Sequence, residues 1–321
     1  MKRYDIVALG ECLIDFTPAG ISPAGMLLFE QNPGGAPANM LVAATNLGRS
    51  TAFIGKVGTD MQGQFLRQTI HDAGVDTDAM IMSDDYFTTL AFITIDEHGE
   101  RSFAFARKPG ADTQLHDHEL DMEMLKNTGI FHVGSLSMTD EPARSATLAA
   151  ITAAKKAGAM ISYDPNYRPL LWAAPEAAQE QIRALLPYAD MIKVSADECE
   201  ITTGYADPGE AAKYLRAQGI SCVVITLGAD GACIFAEQGE CKVDGYKPET
   251  VVDTTGAGDS FWGAFLTCVS ESGNHVRELT MDELRTYGDF ACAAASLSVE
   301  KRGAIPAMPR RMQVHERLGQ R

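Results

Sequence analysis

The sequence lacks several features that would each point to a particular class of protein. No uninterrupted apolar run reaches the roughly 18 residues of a membrane-spanning helix. The seven cysteines include no C-x-x-C pair and the seven histidines no H-E-x-x-H or similar ligand spacing, which argues against a structural zinc site. Basic residues are few: 27 lysines and arginines face 43 acidic residues, for a net charge of −16. This balance argues against a nucleic-acid partner, but a small anionic ligand needs only a few local cations and aligned N–H groups.

The amino-terminal stretch "MKRYDIVALGECLIDF" does not have the pattern of a signal peptide. Asp5, Gly10 and Glu11 interrupt its apolar run, and no small-residue cleavage site follows. An odd number of scattered cysteines is typical of reduced thiols. The sequence therefore predicts a cytoplasmic protein without a membrane partner.

Short apolar runs alternate with longer amphipathic ones along most of the 321 residues. "DIVALG", "GIFHVGSL", "AMISYDP" and "CVVITLG" have the pattern of buried strands, whereas "APANMLVAATNLG" and "ARSATLAAITAAKKAG" have helical periodicity. Helical stretches end on Gly48, Gly74 and Gly158, as helices often do. This alternation predicts an α/β fold with a mainly parallel central sheet, helices on both faces, and ligands at the carboxyl ends of its strands.

Two stretches do not follow this alternation. Residues 85–108 alternate with period two around "DEHG", which predicts a β-hairpin, and residues 12–32 are extended and contain two prolines. We expect both to form a small β-sheet that covers the ligand edge as a lid; the alternative is an antiparallel extension of the main sheet that does not move. The main domain would then comprise residues 1–11, 33–84 and 109–321.

The segment "VVDTTGAGDSFWGAF" predicts a glycine-rich turn that opens a helix, with Asp259 in its first turn. Phe261 stands where the dinucleotide fingerprint G-x-G-x-x-G requires glycine, and no G-x-x-x-x-G-K-[ST] loop is present, so neither common phosphate-binding motif applies. The amide groups and the positive dipole of such a helix end attract anions. Two interpretations of Asp259 remain open: it stabilises the helix start, or it acts on a ligand.

Three further glycine- or proline-containing turns stand next to predicted helices or strands. "NPGGAPANM" permits close backbone approach at Gly34 and Gly35 and presents Asn39, although a simple turn before a helix explains it as well. "TLGADG" is either a phosphate-binding turn or a hairpin turn. "DPNYRPLLW" brings Asn166 and Arg168 to the ligand edge, where a guanidinium suits phosphate or carboxylate oxygens.

Two of these motifs together resemble one family. "GGAPAN" and, much later, "DTTGAGDSF" are similar to the two signatures of the ribokinase-like carbohydrate and nucleoside kinases, and the resemblance covers nearly the whole chain. It implies a three-layer α/β fold with a small β lid. It also implies that Asp259 is the base for a sugar hydroxyl that attacks the γ-phosphorus of ATP, with the amides of Gly256, Ala257 and Gly258 as an anion hole. At a helix amino terminus we expect this carboxylate to have a low pKa.

The resemblance further assigns binding residues. It implies a sugar site at Asp15, Gly34, Gly35, Asn39, Arg107, Asn166 and Arg168, and a nucleotide site at Lys193, Ser195, Thr226, Gly228 and Gly231. Glu198 would support Mg²⁺ through its water shell, although Ser195 replaces the asparagine of the family's Asn-x-x-Glu motif. Potassium or another monovalent cation would bind near Asp253, Thr255, Ser298 and Gly303. The alternative is that Asp253 only caps its turn.

Several stretches resemble fructokinases more than ribokinases, among them "FHVGSLSM" and "DMIKVSADE". The expected reaction is therefore ATP-dependent phosphorylation of the fructose 6-hydroxyl. A 2-keto-3-deoxygluconate kinase, which shares the "DPNxRP" pattern, and a ribokinase are the alternatives, and a non-catalytic sugar-binding relative is an alternative of another class. Apolar lid residues (Leu90, Phe92, Phe103 and Phe105) suggest a homodimer formed through the lid.

Overall fold

The computed structural model describes residues 3–95 and 101–320. Thirteen strands lie in this part of the chain: β1 (Tyr4–Leu9), β2 (Leu13–Ile21), β3 (Leu27–Gly34), β4 (Thr51–Gly58), β5 (Met80–Ser83), β6 (Leu90–Ile95), β7 (Arg101–Ala106), β8 (Thr128–Gly134), β9 (Met160–Asp164), β10 (Met191–Ser195), β11 (Cys222–Thr226), β12 (Ala232–Ala236) and β13 (Gly239–Val243). The helices are α1 (Ala36–Asn46), α2 (Met61–Asp72), α3 (Met122–Lys126), α4 (Ala143–Lys156), α5 (Pro175–Leu185), α6 (Cys199–Thr203), α7 (Pro208–Ala217), α8 (Ala257–Ser272), α9 (Met281–Ser298) and α10 (Arg311–Leu318).

Nine strands form a large sheet in the order β13-β12-β11-β10-β9-β8-β1-β4-β5. The pairs from β5 to β11 are all parallel, and only β12 and β13 add antiparallel pairs at one edge. The carboxyl ends of the parallel strands therefore meet along one edge of the sheet, where α8 also begins.

The large sheet is covered on both faces. Along β1, Ile6 and Ala8 pack into a core that includes Trp262 and Phe265 of α8, whereas Val7 and Leu9 pack into a second core on the other face. Each of these four β1 residues is at most 1% exposed. Full burial of a valine, leucine or isoleucine side chain stabilises the folded state by about 1.5–3 kcal/mol. Successive side chains of a strand point to opposite faces of the sheet, and here the side chains on both faces are apolar. Such a strand is buried only when helices cover both faces of the sheet, as in a three-layer fold.

The predicted helix ends are present. Gly48, Gly74 and Gly158 have φ of 96°, 92° and 82°, the left-handed region in which glycine pays no Cβ penalty. Among residues 3–95 and 101–320, no helix combines the length and the apolar character required to cross a bilayer.

The remaining four strands form a separate small sheet in the order β3-β2-β6-β7. β2 pairs antiparallel with β3 and parallel with β6, and β6 pairs antiparallel with β7. The two stretches that do not follow the strand–helix alternation thus come together in one sheet rather than extending the large one. The "DEHG" turn falls on residues outside the described chain, and so does the side chain of Phe103.

Candidate active site

Asp259 is held by side chains from two other parts of the chain. Asn39 Nδ2 donates to Asp259 Oδ2 at 2.8 Å, and Asn166 Nδ2 donates to Asp259 Oδ1 at 3.3 Å. The cap of α8 is Gly256, with φ of 78°, and Asp259 is the third helical residue. The two oxygens of Asp259 are therefore fixed by amide groups of α1 and of the turn after β9, in addition to its place in the first turn of α8. That Asp259 acts on a ligand stays a prediction.

Burial changes the expected basicity of this carboxylate. Asp259 is 8% exposed, and burial raises its pKa above the ordinary aspartate value, although Lys193 and the hydrogen bond from Asn39 act in the opposite direction. The expectation of a low pKa is therefore wrong. Loss of hydration outweighs the opposing effects of Lys193 and Asn39, and a carboxylate with a raised pKa is a better general base near neutral pH.

The predicted anion hole lies at the start of α8, where Gly256, Ala257 and Gly258 line a cavity of about 430 Å³. The amide of Ala257 already donates to Thr254 O at 3.2 Å, so it is less available than the other two predicted donors. A cation lies alongside, because a Cβ built on Gly258 would be 3.2 Å from Lys193 Nζ. The helix end therefore carries both backbone donors and a positive side chain.

Lys193 is 4% exposed and donates to Asp164 Oδ2 at 2.6 Å. Burial acts to lower its pKa, but the charges of Asp164 and Glu198 outweigh that effect and raise the pKa, so Lys193 is charged at neutral pH. Sequence reasoning did not select Asp164, although it is the first residue of "DPNYRPLLW". Its other oxygen accepts from Asn166 N at 3.1 Å and thereby shapes the turn in which Asn166 has φ of 45°. The same carboxylate positions both Lys193 and Asn166.

The predicted sugar residues mostly surround the same 430 Å³ cavity, which we name the sugar cavity for that prediction alone. Its walls include Asp15, Gly35, Asn39, Asn166, Arg168 and Asp259. Gly34 lies behind Asp15: a Cβ there would be 2.6 Å from Asp15 Oδ2. Burial raises the pKa of Asp15 to about 6, with Arg168 acting in the opposite direction. The cavity thus combines hydrogen-bonding carboxylates and amides, the groups that recognise hydroxyls directionally.

Arg107 lies apart from the other predicted sugar residues. Its guanidinium is 4% exposed and donates to Asp112 Oδ2 through Nε at 2.8 Å, to Thr139 Oγ1 at 2.9 Å and to Leu136 O at 2.9 Å. It lines a neighbouring cavity rather than the sugar cavity, because a buried guanidinium is held by its carboxylate partner and cannot leave it without a large penalty. The exposed Arg168, in contrast, borders the sugar cavity.

A second, mainly apolar cavity of about 270 Å³ lies on the other side of the glycine-rich turn. Thr226, Gly228 and Gly231 line it, and it shares Ala257 and Gly258 with the sugar cavity. "TLGADG" is indeed the turn that joins β11 to β12, and it also forms a wall of this cavity. Two of the predicted nucleotide residues, Lys193 and Ser195, line the sugar cavity instead.

Glu198 connects two turns. Its Oε2 accepts from Ser195 N at 3.0 Å and from Ser195 Oγ at 2.8 Å, and its Oε1 accepts from Tyr167 N at 2.6 Å. Ser195 therefore fixes the orientation of Glu198. The described residues contain no cluster of three or more His, Cys, Asp or Glu side chains that could hold a metal. A divalent ion here would have to take most of its ligands from water and phosphate, as Mg²⁺ commonly does.

The residues predicted for a monovalent cation are only partly brought together. Asp253 Oδ1 accepts from Thr255 N at 3.0 Å and Oγ1 at 2.7 Å, and Asp253 Oδ2 accepts from Gly303 N at 3.1 Å. The Ser298 hydroxyl instead donates to Ala295 O at 2.8 Å. Asp253 therefore does cap its turn, whether or not an ion binds beside it.

Known proteins are similar to this chain in sequence and in fold. The sequence pattern of the pfkB family carbohydrate kinases matches residues 3–311. A protein from Arabidopsis thaliana named probable fructokinase-6, chloroplastic, is 42% identical over 318 residues, which are 98% of this chain and 82% of that protein.

Two crystal structures align over almost the whole chain. Fructokinase with bound ATP from Xylella fastidiosa is 30% identical, with a TM-score of 0.89 and 98% of each chain covered. Fructokinase from Vibrio cholerae O395, in a form with fructose, ADP and calcium bound, is 32% identical, with a TM-score of 0.88 and coverage of 98% of this chain and 99% of that chain. The fold class predicted from the sequence is confirmed, and the chain belongs to the pfkB family of carbohydrate kinases.

Proposed function

We propose that this protein is an ATP-dependent fructokinase that forms fructose 6-phosphate and ADP. The observation that carries the proposal is the position of Asp259. This buried carboxylate lies in the wall of a polar cavity, beside a helix amino terminus that also borders a second, apolar cavity. A sugar hydroxyl in the first cavity and a nucleotide in the second would meet at that helix end. The relatives named fructokinase, with ATP in one structure and fructose and ADP in another, support the choice of substrates.

In the proposed reaction Asp259 accepts the proton of the attacking hydroxyl. Asn39 and Asn166 donate to its two oxygens and hold it in place, so the basic lone pairs are oriented before the sugar arrives. Negative charge on the transferred phosphoryl group is stabilised by the amides at the start of α8 and by Lys193 Nζ. Phosphoryl transfer depends mainly on such positioning and charge stabilisation.

Asp15 and Arg168 would select the sugar. Asp15 lies on β2 and packs against Gly34, which has no Cβ to displace it, and its carboxylate would accept hydrogen bonds from adjacent hydroxyls. Asn39 Oδ1 is buried and has no hydrogen-bond partner among the described atoms, so it can accept another hydroxyl while Nδ2 holds Asp259. A site built from such groups discriminates strongly against analogues that lack a hydroxyl.

Metal ions would assist at two places. Mg²⁺ bound to the nucleotide phosphates supplies charge neutralisation, and Glu198, already fixed by Ser195 and Tyr167, would accept hydrogen bonds from its water ligands. Asp253, Thr255 and Gly303 would support a potassium ion through the turn that they form. Equal rates in potassium and choline buffers would remove the potassium assignment.

The small sheet would act as a lid and as a dimer interface. Closing over bound sugar excludes the water that would otherwise accept the phosphoryl group. Several apolar side chains of this sheet and of its β2–β3 turn are exposed: Ile21, Met26, Leu27, Leu28, Phe29 and Phe92. Such a patch suits pairing with the same face of a second copy. The seven cysteines all lie in the part of the chain that the structure describes and none of them forms a disulfide, which fits the reducing cytoplasm that we propose as the location.

One other substrate has a specific observation in its favour. Arg168 is exposed and borders the sugar cavity, where it could pair with the carboxylate of 2-keto-3-deoxygluconate. An ADP-release assay with fructose, ribose, 2-keto-3-deoxygluconate and adenosine separates the alternatives. We expect the highest kcat/KM with fructose. Preference for another sugar would replace the substrate assignment, and the absence of ADP release with all four would favour a non-catalytic sugar-binding relative.

A further inference from the structure

Four chain segments connect the small sheet to the large one. Gly10–Cys12 leads from β1 into β2, Gly35 leads from β3 into α1, residues 84–89 lead from β5 into β6, and Arg107 begins the return from β7. Any change in the angle between the two sheets must be absorbed in these four segments. Their contacts therefore decide how the small sheet is held over the sugar cavity.

Two of the segments are tied by a buried ion pair. Arg107 Nη2 lies 2.7 Å from Asp112 Oδ2, and their side chains are 4% and 2% exposed. Thr89, the last residue before β6, donates to the other oxygen of Asp112 at 2.5 Å. Gly110 makes room for the group, because a Cβ there would stand 1.9 Å from Thr89 Oγ1. The entry to β6 and the exit from β7 thus share one carboxylate.

Glu11 ties the other two segments. It lies between β1 and β2, and its Oε1 accepts from Ala36 N at 3.1 Å, directly after Gly35. The backbone packs as closely: a Cβ on Gly35, whose φ is 109°, would be 2.4 Å from Glu11 O. A side chain of the first connecting segment therefore holds the backbone of the second, directly after Gly34, which packs against Asp15.

The Glu11 side chain also interacts with the Arg107–Asp112 ion pair. Glu11 is 3% exposed, its Oε2 has no hydrogen-bond partner among the described atoms, and it interacts electrostatically with Asp112 and Arg107. Glu11 also borders the sugar cavity. A buried carboxylate with one unpaired oxygen is costly, and such groups persist where the position of the charge has a use.

We propose that Glu11 is a positioning residue for sugar binding. Together with Arg107, Asp112 and Thr89 it links the four connecting segments and holds the Gly34–Gly35 turn in its sugar-binding position. Nothing in the catalytic step requires Glu11, since Asp259 is the base and Lys193 the cation. Glu11 affects the sugar site through the backbone of Ala36 and Gly35. This role for Glu11 rests on the proposed sugar-kinase function.

The protonation of Glu11 gives this role a measurable signature. Burial raises the pKa of Glu11 to about 7, with Asp112 adding to the rise and Arg107 opposing it; the neighbouring Cys12 is a further titratable group in the field of Glu11. The ionised carboxylate accepts the Ala36 N–H more strongly than the neutral acid does. Sugar affinity in the native protein should therefore rise with pH through about 7, where Glu11 ionises.

The test compares Glu11→Gln and Glu11→Ala with the unmodified protein. Glutamine keeps an acceptor for Ala36 N–H but cannot ionise, whereas alanine removes the contact. We expect Glu11→Ala to raise the fructose KM roughly tenfold, as for loss of a charge-assisted hydrogen bond, with kcat changed by less than about threefold. For Glu11→Gln we expect the ratio of its KM to that of the native protein to increase between pH 6 and pH 8.

Asp190→Asn is a matched control. Asp190 Oδ2 also accepts a backbone N–H from a neighbouring element, that of Ile161 at 2.7 Å, but at the amino end of β9 and β10, away from both cavities. We expect this variant to lower the melting temperature and leave the KM ratio flat across the pH range. A flat ratio for Glu11→Gln, or a Glu11→Ala variant that loses stability without any change in KM, overturns the proposal.

The same assay separates this proposal from the substrate assignment. If the native protein prefers another sugar of the panel, that sugar replaces fructose in every measurement. The ADP-release rates of the native protein with the four substrates are therefore sufficient to refute the fructokinase assignment. Failure of the Glu11 role is read only from the ratio of variant to native protein on the accepted sugar.

Discussion

Replacing Asp259 by asparagine is the sharpest test of the proposed chemistry. The substitution keeps the size of the side chain and removes its charge and its ability to accept a proton. Asn39 and Asn166 both donate to the carboxylate, so one of them would face the new NH₂ group. The new amide can keep its oxygen on Asn39, the shorter of the two contacts at 2.8 Å, and place its NH₂ group beside Asn166, so that only the longer contact of 3.3 Å is lost. We therefore expect the site to keep its shape.

The magnitude follows from the role of the group. A positioned general base contributes roughly 10²–10⁴-fold, so kcat should fall by that factor, equivalent to about 3–5 kcal/mol of transition-state stabilisation at 1.36 kcal/mol per tenfold change. Fructose KM should change by less than about threefold, since Asp15 and Arg168 remain. Stability should not fall, because burial already disfavours the charged form of Asp259.

The assay is coupled ADP release with saturating ATP, together with a thermal melt of each protein. Asp121→Asn is the matched control: Asp121 is the N-cap of α3, where it accepts from Glu123 N and Met124 N, outside the residues that border either cavity. It should leave kcat within about twofold, because asparagine caps a helix as well as aspartate does. A kcat for Asp259→Asn within tenfold of the native value would refute the assignment of Asp259 as the base.

Three further predictions concern the surroundings of this group. Lys193→Met should lower kcat by roughly 10²–10³-fold and also lower the melting temperature, because it removes a cation from the anion hole and leaves Asp164 buried without its partner; a variant with normal kcat would exclude Lys193 from charge stabilisation. Gly34→Ala should raise fructose KM roughly tenfold or more while ATP KM stays the same, because the added Cβ would lie 2.6 Å from Asp15 Oδ2; equal changes in both constants in the ADP-release assay would contradict this. Because burial raises the pKa of Asp15 to about 6 and of Glu11 to about 7, the stability they contribute is present below their unfolded values and is lost as pH rises through 6–7. The free energy of unfolding, measured with denaturant, should therefore be lower at pH 8 than at pH 5, and Glu11→Gln should reduce this difference by at most ~3 kcal/mol. An equal difference in Glu11→Gln and the native protein would show that Glu11 does not cause the pH dependence.

The order of strand and helix patterns was sufficient to predict the layered α/β fold. Apolar runs such as "DIVALG" can be buried only in a strand covered on both faces, and glycines mark helix ends locally. The two stretches that interrupt the alternation were also recognisable from period two and from proline. How they pair was not, because β2 joins β6 through contacts between residues far apart in sequence.

The places of candidate residues follow most directly from the sequence where the backbone requirement is local. Gly34, Gly35 and Gly256–Gly258 stand in turns that need glycine or a close approach, and they border the cavities or support them. Arg107 shows the limit. Its place at the end of a hairpin suggested an arginine that reaches the sugar, but Asp112, five residues later, turns the guanidinium into the protein. Ion-pair choice depends on which charges share a buried space, and sequence order does not give that.

The sequence by itself determined the class of fold, the glycine turns and the family signature, since each depends on short-range pattern and backbone freedom. Only the tertiary structure decided the state of the reactive groups. Asn39 reaches Asp259 across 220 positions, and Lys193 meets Asp164 because β10 lies beside β9. Burial, which raises the pKa of Asp259, Asp15 and Glu11, is a property of the packed molecule. Hydration is lost only when distant segments close around a group, so a local pattern cannot encode its basicity.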